Sequence, residues 1–217
     1  QVCAFLKLAP ELRPAVIVSK SSGKTQWFHH IYEWTGEIAQ VVDAASDPLI
    51  DQFKIKIISY DALTDRVQNG KKVPNSMSDK LKELKPALIV LDECQQIKNR
   101  NAERTQKHAT LCSEAQHVLA TSGTPIKNNS AEYFTILNIL APDKFSNQAL
   151  YERNFVRLEW DRASSKYRKA GLKNETHFRE LTRNFIVRRT RDEVMPDLPK
   201  ITRQFLWTKC DALVQKA

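Results

Sequence analysis

Four short apolar runs lie along the chain: "PAVIV" (14–18), "IKIIS" (55–59), "ALIVL" (87–91) and "HVLAT" (117–121). They are rich in β-branched residues, and their apolar residues stand side by side rather than at every second position. A strand with one solvated face alternates. A strand apolar on both sides is covered above and below, as in a parallel sheet whose crossover helices pack on its two faces. Segments of helical character separate the runs, among them 25–34 and 101–115. Strand–helix alternation makes the expected fold class α/β, a parallel sheet flanked by helices.

The 217 residues fit one large domain or a domain with an appendage, and 41% hydrophobic content is enough for a packed core. The polar stretch 66–86 reads as a surface loop and a short helix leading into the third run. After Pro142 charge and aromatics mix at helical spacing, with no clear strand run from 143 to 195. The expectation there is a C-terminal helical protrusion. Two prolines in "MPDLPKI" stop it, and "ITRQFLW" (201–207) reads as a strand that starts something else. The domain reading is 1–142 for the sheet, 143–200 for the protrusion and 201–217 for a connection onward. At the other end, Val2, Phe5, Leu6 and Ala9 stand at helical spacing with no capping residue before them. The sequence therefore reads as a piece of a longer one.

The formal net charge of +9 favours a polyanionic partner, with solubilising lysine as the plainer alternative. No apolar stretch approaches the ~20 residues that span a bilayer, and residues 1–12 lack the pattern of a signal peptide, so no membrane partner is expected. Cys3, Cys94, Cys112 and Cys210 form no C-x-x-C pair and fit no zinc spacing. They read as reduced thiols of an intracellular protein. His29 and His30 are adjacent, point to different sides of a helix, and make a poor metal site.

The main chemical signal is "ALIVLDECQQIKN" (87–99), where Asp92 and Glu93 follow directly on a buried strand. The carboxyl ends of parallel strands face the ligand crevice. Two adjacent carboxylates there suit nucleoside-triphosphate hydrolysis: the first holds Mg²⁺, usually through water, and the second orients or deprotonates the attacking water. The alternative is an Asp-Glu turn that caps the next helix. After the fourth run comes "ATSGTPIKNN" (120–129), in which Ser122, Gly123 and Thr124 form a turn with two hydroxyls able to bond neighbouring strand-end carboxylates. Lys127, Asn128 and Asn129 add donors suited to a phosphate backbone. Alone, this segment reads as a plain turn.

Together, "LDECQQIKN" and "SGTPIKNNSAEYFTILNILAPDKF" resemble motifs II and III of the Swi/Snf-type DNA-dependent ATPases of helicase superfamily two. "PAVIVSKSSGKTQWFHHIYEW" is similar to that family's motif Ia region, "IKIISYDAL" to its motif Ib, and "FIVRRTRDEVMPDLPKITRQ" to the segment leaving its first lobe. The resemblance implies a RecA-like first lobe with a helical protrusion, followed by a second RecA-like lobe. It implies ATP and Mg²⁺ between the lobes, double-stranded DNA as partner, and hydrolysis that drives movement along the duplex. It makes Asp92 the magnesium carboxylate, Glu93 the catalytic carboxylate, and Ser122, Gly123 and Thr124 the coupling motif. Cys94 and Gln95 stand where Ala and His are common; Gln95 keeps hydrogen bonding but carries no charge.

Gly23-Lys24-Thr25 looks like the end of a phosphate loop, but that loop needs G-x-x-x-x-G-K-[ST], and the first glycine position is Val18. The resemblance puts the true phosphate loop one unit earlier, ahead of "QVCAFLKL", and turns Ser21, Ser22 and Lys24 toward the DNA backbone. Two rivals remain: a self-contained phosphate-loop enzyme using Lys24, and a catalytically silent DNA-binding module. Trp27 and Trp34, seven apart on one helix face, read as core packing ahead of base stacking. Arg188, Arg189 and Arg191 read equally as cleft contacts or as a solvated face.

Overall fold

The computed structural model describes residues 1–68, 70–73, 75–126, 129–195, 197 and 204. In chain order the elements are α1 (Val2–Leu8), β1 (Ala15–Ser19), α2 (Lys24–Thr35), β2 (Gln40–Val41), β3 (Ile55–Ser59), β4 (Arg66–Gln68), β5 (Lys71–Val73), α3 (Met77–Leu84), β6 (Leu88–Asp92), α4 (Glu103–Glu114), β7 (His117–Thr121), α5 (Tyr133–Leu140), α6 (Gln148–Phe155), β8 (Val156–Asp161), β9 (Lys166–Leu172), α7 (Glu175–Thr182) and α8 (Arg191–Val194). The chain divides into two compact units, Gln1–Glu175 and Thr176–Ala217.

The four apolar runs are β1, β3, β6 and β7. With β2 they form one sheet in the order β2-β3-β1-β6-β7, and every pairing in it is parallel. Successive residues of a strand point to opposite faces, so unbroken apolar runs feed two cores. One face collects Ala15, Ile17, Ile55, Ile57, Leu88 and Val90 beneath Val2 and Leu6 of α1 and Ile31 of α2. The other collects Val16, Val18, Ile58, Ile89 and Leu91 with Met77 and Leu81 of α3, Leu111 of α4 and Ile136 of α5. Lys56 interrupts the second run yet is fully buried, because its ammonium reaches the carbonyls of Ile50 and Phe53.

Helix α2 ends at Gly36, whose φ of 76° is the left-handed conformation that closes helices. β4 and β5 pair antiparallel, and the short helix expected after them is α3. Cys3, Cys94 and Cys112 are buried free thiols; Cys210 lies outside the described residues.

The expectation of unbroken helical character after residue 142 is corrected at 156–172, where β8 and β9 pair as an antiparallel hairpin. Leu158 and Trp160 in β8 alternate with charged residues, a period of two, and Trp160 stands across from Tyr167 with ring centroids 5.0 Å apart. Asp161 closes the turn: its carboxylate accepts from the Ala163 amide at 3.1 Å and the Ser164 hydroxyl at 2.8 Å. Both sides of the ribbon are solvated along much of its length, with Leu158, Trp160 and Tyr167 exposed as well as Arg157, Lys166 and Arg168. Segment 201–207 lies outside the described residues apart from Gln204, for which no regular structure is described.

His108 on α4 is buried, with Nδ1 donating to the Arg104 carbonyl at 2.7 Å, its ring against Tyr60, and Nε2 without a partner among the described residues. Burial, which disfavours the imidazolium, pushes its pKa down to about 4 from an ordinary 6.5. The native state thus holds a neutral ring while the unfolded chain takes up a proton below pH 6.5. Stability is fully present above that value and falls as pH drops toward 4, by an amount on the order of 3 kcal/mol at most. Urea unfolding of this chain at a series of pH values should show that loss, and His108→Leu should flatten it within the same window.

Candidate functional site

The site is assembled by strand register. β6 lies between β1 and β7, with Val18 opposite Leu91 and Asp92 opposite Thr121. Three strands therefore end on one sheet edge, and the residues just beyond them share it: Lys20 after β1, Glu93 after β6, Ser122 after β7.

Asp92 is half-buried and held on three sides. The indole Nε1 of Trp27 donates to Oδ2 at 2.9 Å, the Thr121 hydroxyl donates to Oδ1 at 2.9 Å, and the Tyr60 hydroxyl donates to its main-chain oxygen at 2.8 Å. Tyr60 is almost fully buried, and burial first, then the nearby acids and thiols, raises its pKa far above the ordinary phenol value. It stays a neutral donor. Beside Asp92 a cavity of about 130 Å³ is bounded by Gln26, Trp27 and His30. Glu93 takes a left-handed backbone, φ 54° and ψ 50°. A non-glycine residue there costs on the order of 1–3 kcal/mol, and such strain gathers at functional positions. The kink turns the chain straight from β6 into a 3-10 turn over Cys94–Ile97.

Gln95 joins the two motifs. Its Nε2 donates to Glu93 Oε2 at 2.5 Å and lies 3.5 Å from Thr124 Oγ1, while its Oε1 accepts from the Ser122 hydroxyl at 2.6 Å. Ser122 Oγ in turn accepts the Thr124 amide at 3.0 Å. Uncharged Gln95 thus bridges catalytic and coupling candidates through one carboxamide, and Gly123 and Thr124 are exposed. Lys20 lies 3.9 Å from Glu93 Oε1.

The Gly-Lys-Thr segment leads from β1 into α2. Ser21–Gly23 form a 3-10 turn, with Ser21 and Ser22 exposed. The Lys24 stem is buried, and its ammonium donates to the Val42 carbonyl at 3.2 Å and pairs with Asp43. Those partners lie at the end of β2, the edge strand, with β3 and β1 between them and β6. The Lys24 charge is engaged in closing the β2 edge. The same geometry takes it away from the carboxylates. Asn129 uses its carboxamide oxygen to cap the Ala131 amide at 3.0 Å; Lys127 and Asn128 lie outside the described residues. Arg188 and Arg189 are exposed, and the Arg191 side chain is not among those described.

Trp27 and Thr121 are the participants that sequence reasoning missed. The core-packing reading of Trp27 and Trp34 holds for the Trp27 ring, which packs on the core with Phe28, but not for its N–H and not for Trp34, which is exposed. Thr121 differs from Ser122 only in which side of the strand end it faces.

Fold and paired acids define the class, a RecA-like α/β lobe. The chain belongs to the SNF2-related domain family, whose model matches residues 4–217. It is 24% identical over 215 residues to the mouse (Mus musculus) DNA repair and recombination protein RAD54B, covering 94% of this chain and 23% of that protein. It is 26% identical over 205 residues to the human (Homo sapiens) DNA annealing helicase and endonuclease ZRANB3, covering 88% and 18%. With the Arabidopsis thaliana TATA-binding protein-associated factor BTAF1 it shares 29% over 200 residues, 86% and 9%. The chain thus spans less than a quarter of each of these relatives. Two solved structures share the fold: the Sulfolobus solfataricus SWI2/SNF2 ATPase core in complex with dsDNA (TM-score 0.63, 19% identity, 90% of this chain and 38% of that one) and the same core domain (0.64, 21%, 91% and 38%).

The two assignments of Lys24 separate in one variant. Lys24→Met keeps the buried stem and removes one carbonyl bond and one ion pair to a largely exposed acid. It is expected to cost about 1 kcal/mol in urea unfolding and to leave Mg²⁺-ATP binding by the full-length protein intact. Loss of nucleotide binding with unchanged stability would make Lys24 a phosphate ligand.

Proposed function

We propose that this chain is the first ATPase lobe of a protein that hydrolyses ATP, with Mg²⁺, to move on double-stranded DNA in remodelling or repair. The observation that supports this best is the join at the sheet edge: Asp92 and Glu93 at the end of β6, with Gln95 linking Glu93 to Ser122 beside Thr124. A catalytically silent module has no use for a strained Glu93 whose carboxylate is oriented by a hydrogen bond.

The residues fit Mg²⁺. Each Asp92 oxygen accepts one protein donor and keeps lone pairs free, next to a cavity of about 130 Å³. Among the described residues no group of three or more His, Cys, Asp or Glu is placed to hold a metal. That suits an ion which keeps most of its waters and binds through one or two carboxylates plus substrate phosphates. Bound there, Mg²⁺ supplies charge neutralisation on the phosphates. Asp92 holds the hydrated ion. Glu93 accepts the proton of the attacking water, and Gln95 keeps the Glu93 carboxylate turned toward it. Ser122 and Thr124 connect the state of Glu93 to the loop that follows.

The DNA face in this reading comprises exposed Ser21 and Ser22, together with Lys127, Asn128 and Asn129 after β7, under a chain charge of +9. The residues after Pro142, with the β8–β9 hairpin among them, form the protrusion, and 201–217 leads to a second ATPase lobe that closes over the nucleotide. The work is done where DNA is, inside the cell, which in a eukaryote means the nucleus.

Glu93→Gln tests the role directly. The amide keeps the shape but cannot take a proton, so DNA-stimulated phosphate release by the full-length protein should fall ~10²–10⁴-fold while ATP binding persists. Near-normal turnover would overturn the assignment. Duplex DNA binding should show no sequence preference and fall with salt, each phosphate contact contributing about −0.9 to the log–log slope. Binding insensitive to salt would remove the DNA face.

A further inference from the structure

We propose that Trp27 is a positioning residue for the Asp92 carboxylate, an inference that rests on the ATPase reading above. A carboxylate at a strand end swings about its Cβ–Cγ bond unless both oxygens are tied. Here each oxygen has its own donor, and the two donors come from different elements: Trp27 Nε1 from α2 at 2.9 Å and Thr121 Oγ1 from β7 at 2.9 Å. The pair fixes the plane of the carboxylate. Its remaining lone pairs then open toward the cavity, of which Trp27 forms one wall.

The indole is suited to both halves of this task. Its ring packs against the core that covers the α1–α2 face of the sheet, and that packing sets the ring's angle. Its one N–H, fixed by the ring plane, then has a single direction to point. A phenylalanine would fill the same apolar space and leave Asp92 Oδ2 without its donor. Outer-shell donors to ligating groups typically change metal affinity or activity 10–100-fold when lost.

The test uses the full-length protein with Trp27→Phe and Thr121→Val, singly and together. With MgCl₂ titrated at fixed ATP and saturating duplex DNA, each single change should raise the half-saturating Mg²⁺ concentration about 10-fold. Turnover at saturating Mg²⁺ should change far less, as should ATP binding in EDTA. A readout independent of turnover comes from 5-fluorotryptophan labelling. The Trp27 ¹⁹F resonance, assigned by changing each of the protein's other tryptophans to Phe in turn, should move in Asp92→Asn and again when MgCl₂ and ADP are added to the unaltered protein. An unchanged Mg²⁺ requirement in both variants, with or without a lower melting temperature, would show packing alone and overturn the proposal. If Trp27→Phe fails to fold, the ¹⁹F measurement decides, and a resonance indifferent to Asp92→Asn and to Mg²⁺-ADP sinks it. A parent protein that neither binds nor hydrolyses Mg²⁺-ATP overturns the ATPase reading itself. A parent that does both with unshifted variants overturns only the part given to Trp27.

Discussion

Parallel pairing on both sides of β6 is the constraint from which the site follows. β6 has no free edge: β1 binds one side and β7 the other. Its register with β7 sets Asp92 level with Thr121, and its register with β1 sets Leu91 level with Val18. A shift of one residue along either ladder would turn every side chain of β6 to the wrong face, placing Ile89 and Leu91 in the core that now receives Leu88 and Val90. Both cores therefore resist it. The position of the acidic pair relative to Thr121 and Ser122 is a by-product of hydrophobic packing that leaves one arrangement open.

That packing also explains why polar groups converge where they do. Parallel strands run out of neighbours together, so their ends expose backbone groups that need partners. Tyr60, in the 3-10 turn after β3, gives its hydroxyl to the Asp92 carbonyl and puts its ring against His108. The strand end is thereby anchored from beneath while its side chain is held by Trp27 and Thr121. Glu93 then leaves in a conformation few residues adopt, which the anchored Asp92 before it and the buried Cys94 and Ile97 after it impose. Strain persists only where surroundings over-determine it, and here both flanks do.

The sheet was legible because its signal is local. Unalternating β-branched runs mark strands buried on both faces, and all four sequence runs became strands within a residue of their expected bounds. β2 was not legible: two residues, Gln40 and Val41, carry no periodicity. The β8–β9 hairpin was misread because a short period-two pattern carrying Arg, Glu and Lys also satisfies a helical spacing, and only the partner strand across the Asp161 turn decides. At the site, Asp92 and Glu93 were visible as neighbours in sequence on a buried strand. Trp27 was not, since its link to Asp92 spans 65 residues and depends on how α2 rotates over the sheet. Thr121 was missed by one position, which in a strand is the difference between facing Asp92 and facing Gln95.

Gly23-Lys24-Thr25 shows how topology overrules a local motif. A lysine after a glycine at the start of a helix is a phosphate ligand only if the preceding loop wraps the phosphates and the strand before it adjoins the acidic strand. β1 does adjoin β6, so the second condition is met. The first is not: Val18 is fully buried inside the strand, where the loop needs a glycine in the open. With no wrapping loop, nothing holds an anion over the helix start. The lysine is left with a buried stem and a charge that must reach water or a partner. The crossover from β1 over β3 to β2 carries α2 across the sheet, and the partner within reach is the far edge, Val42 and Asp43. An unsatisfied ammonium at that depth is costly and a paired one is not. Of the three residues that most resemble nucleotide machinery, Lys24 therefore serves the edge of the sheet, and in the proposed reading the chemistry falls to a pair of acids that resemble, in isolation, a plain turn.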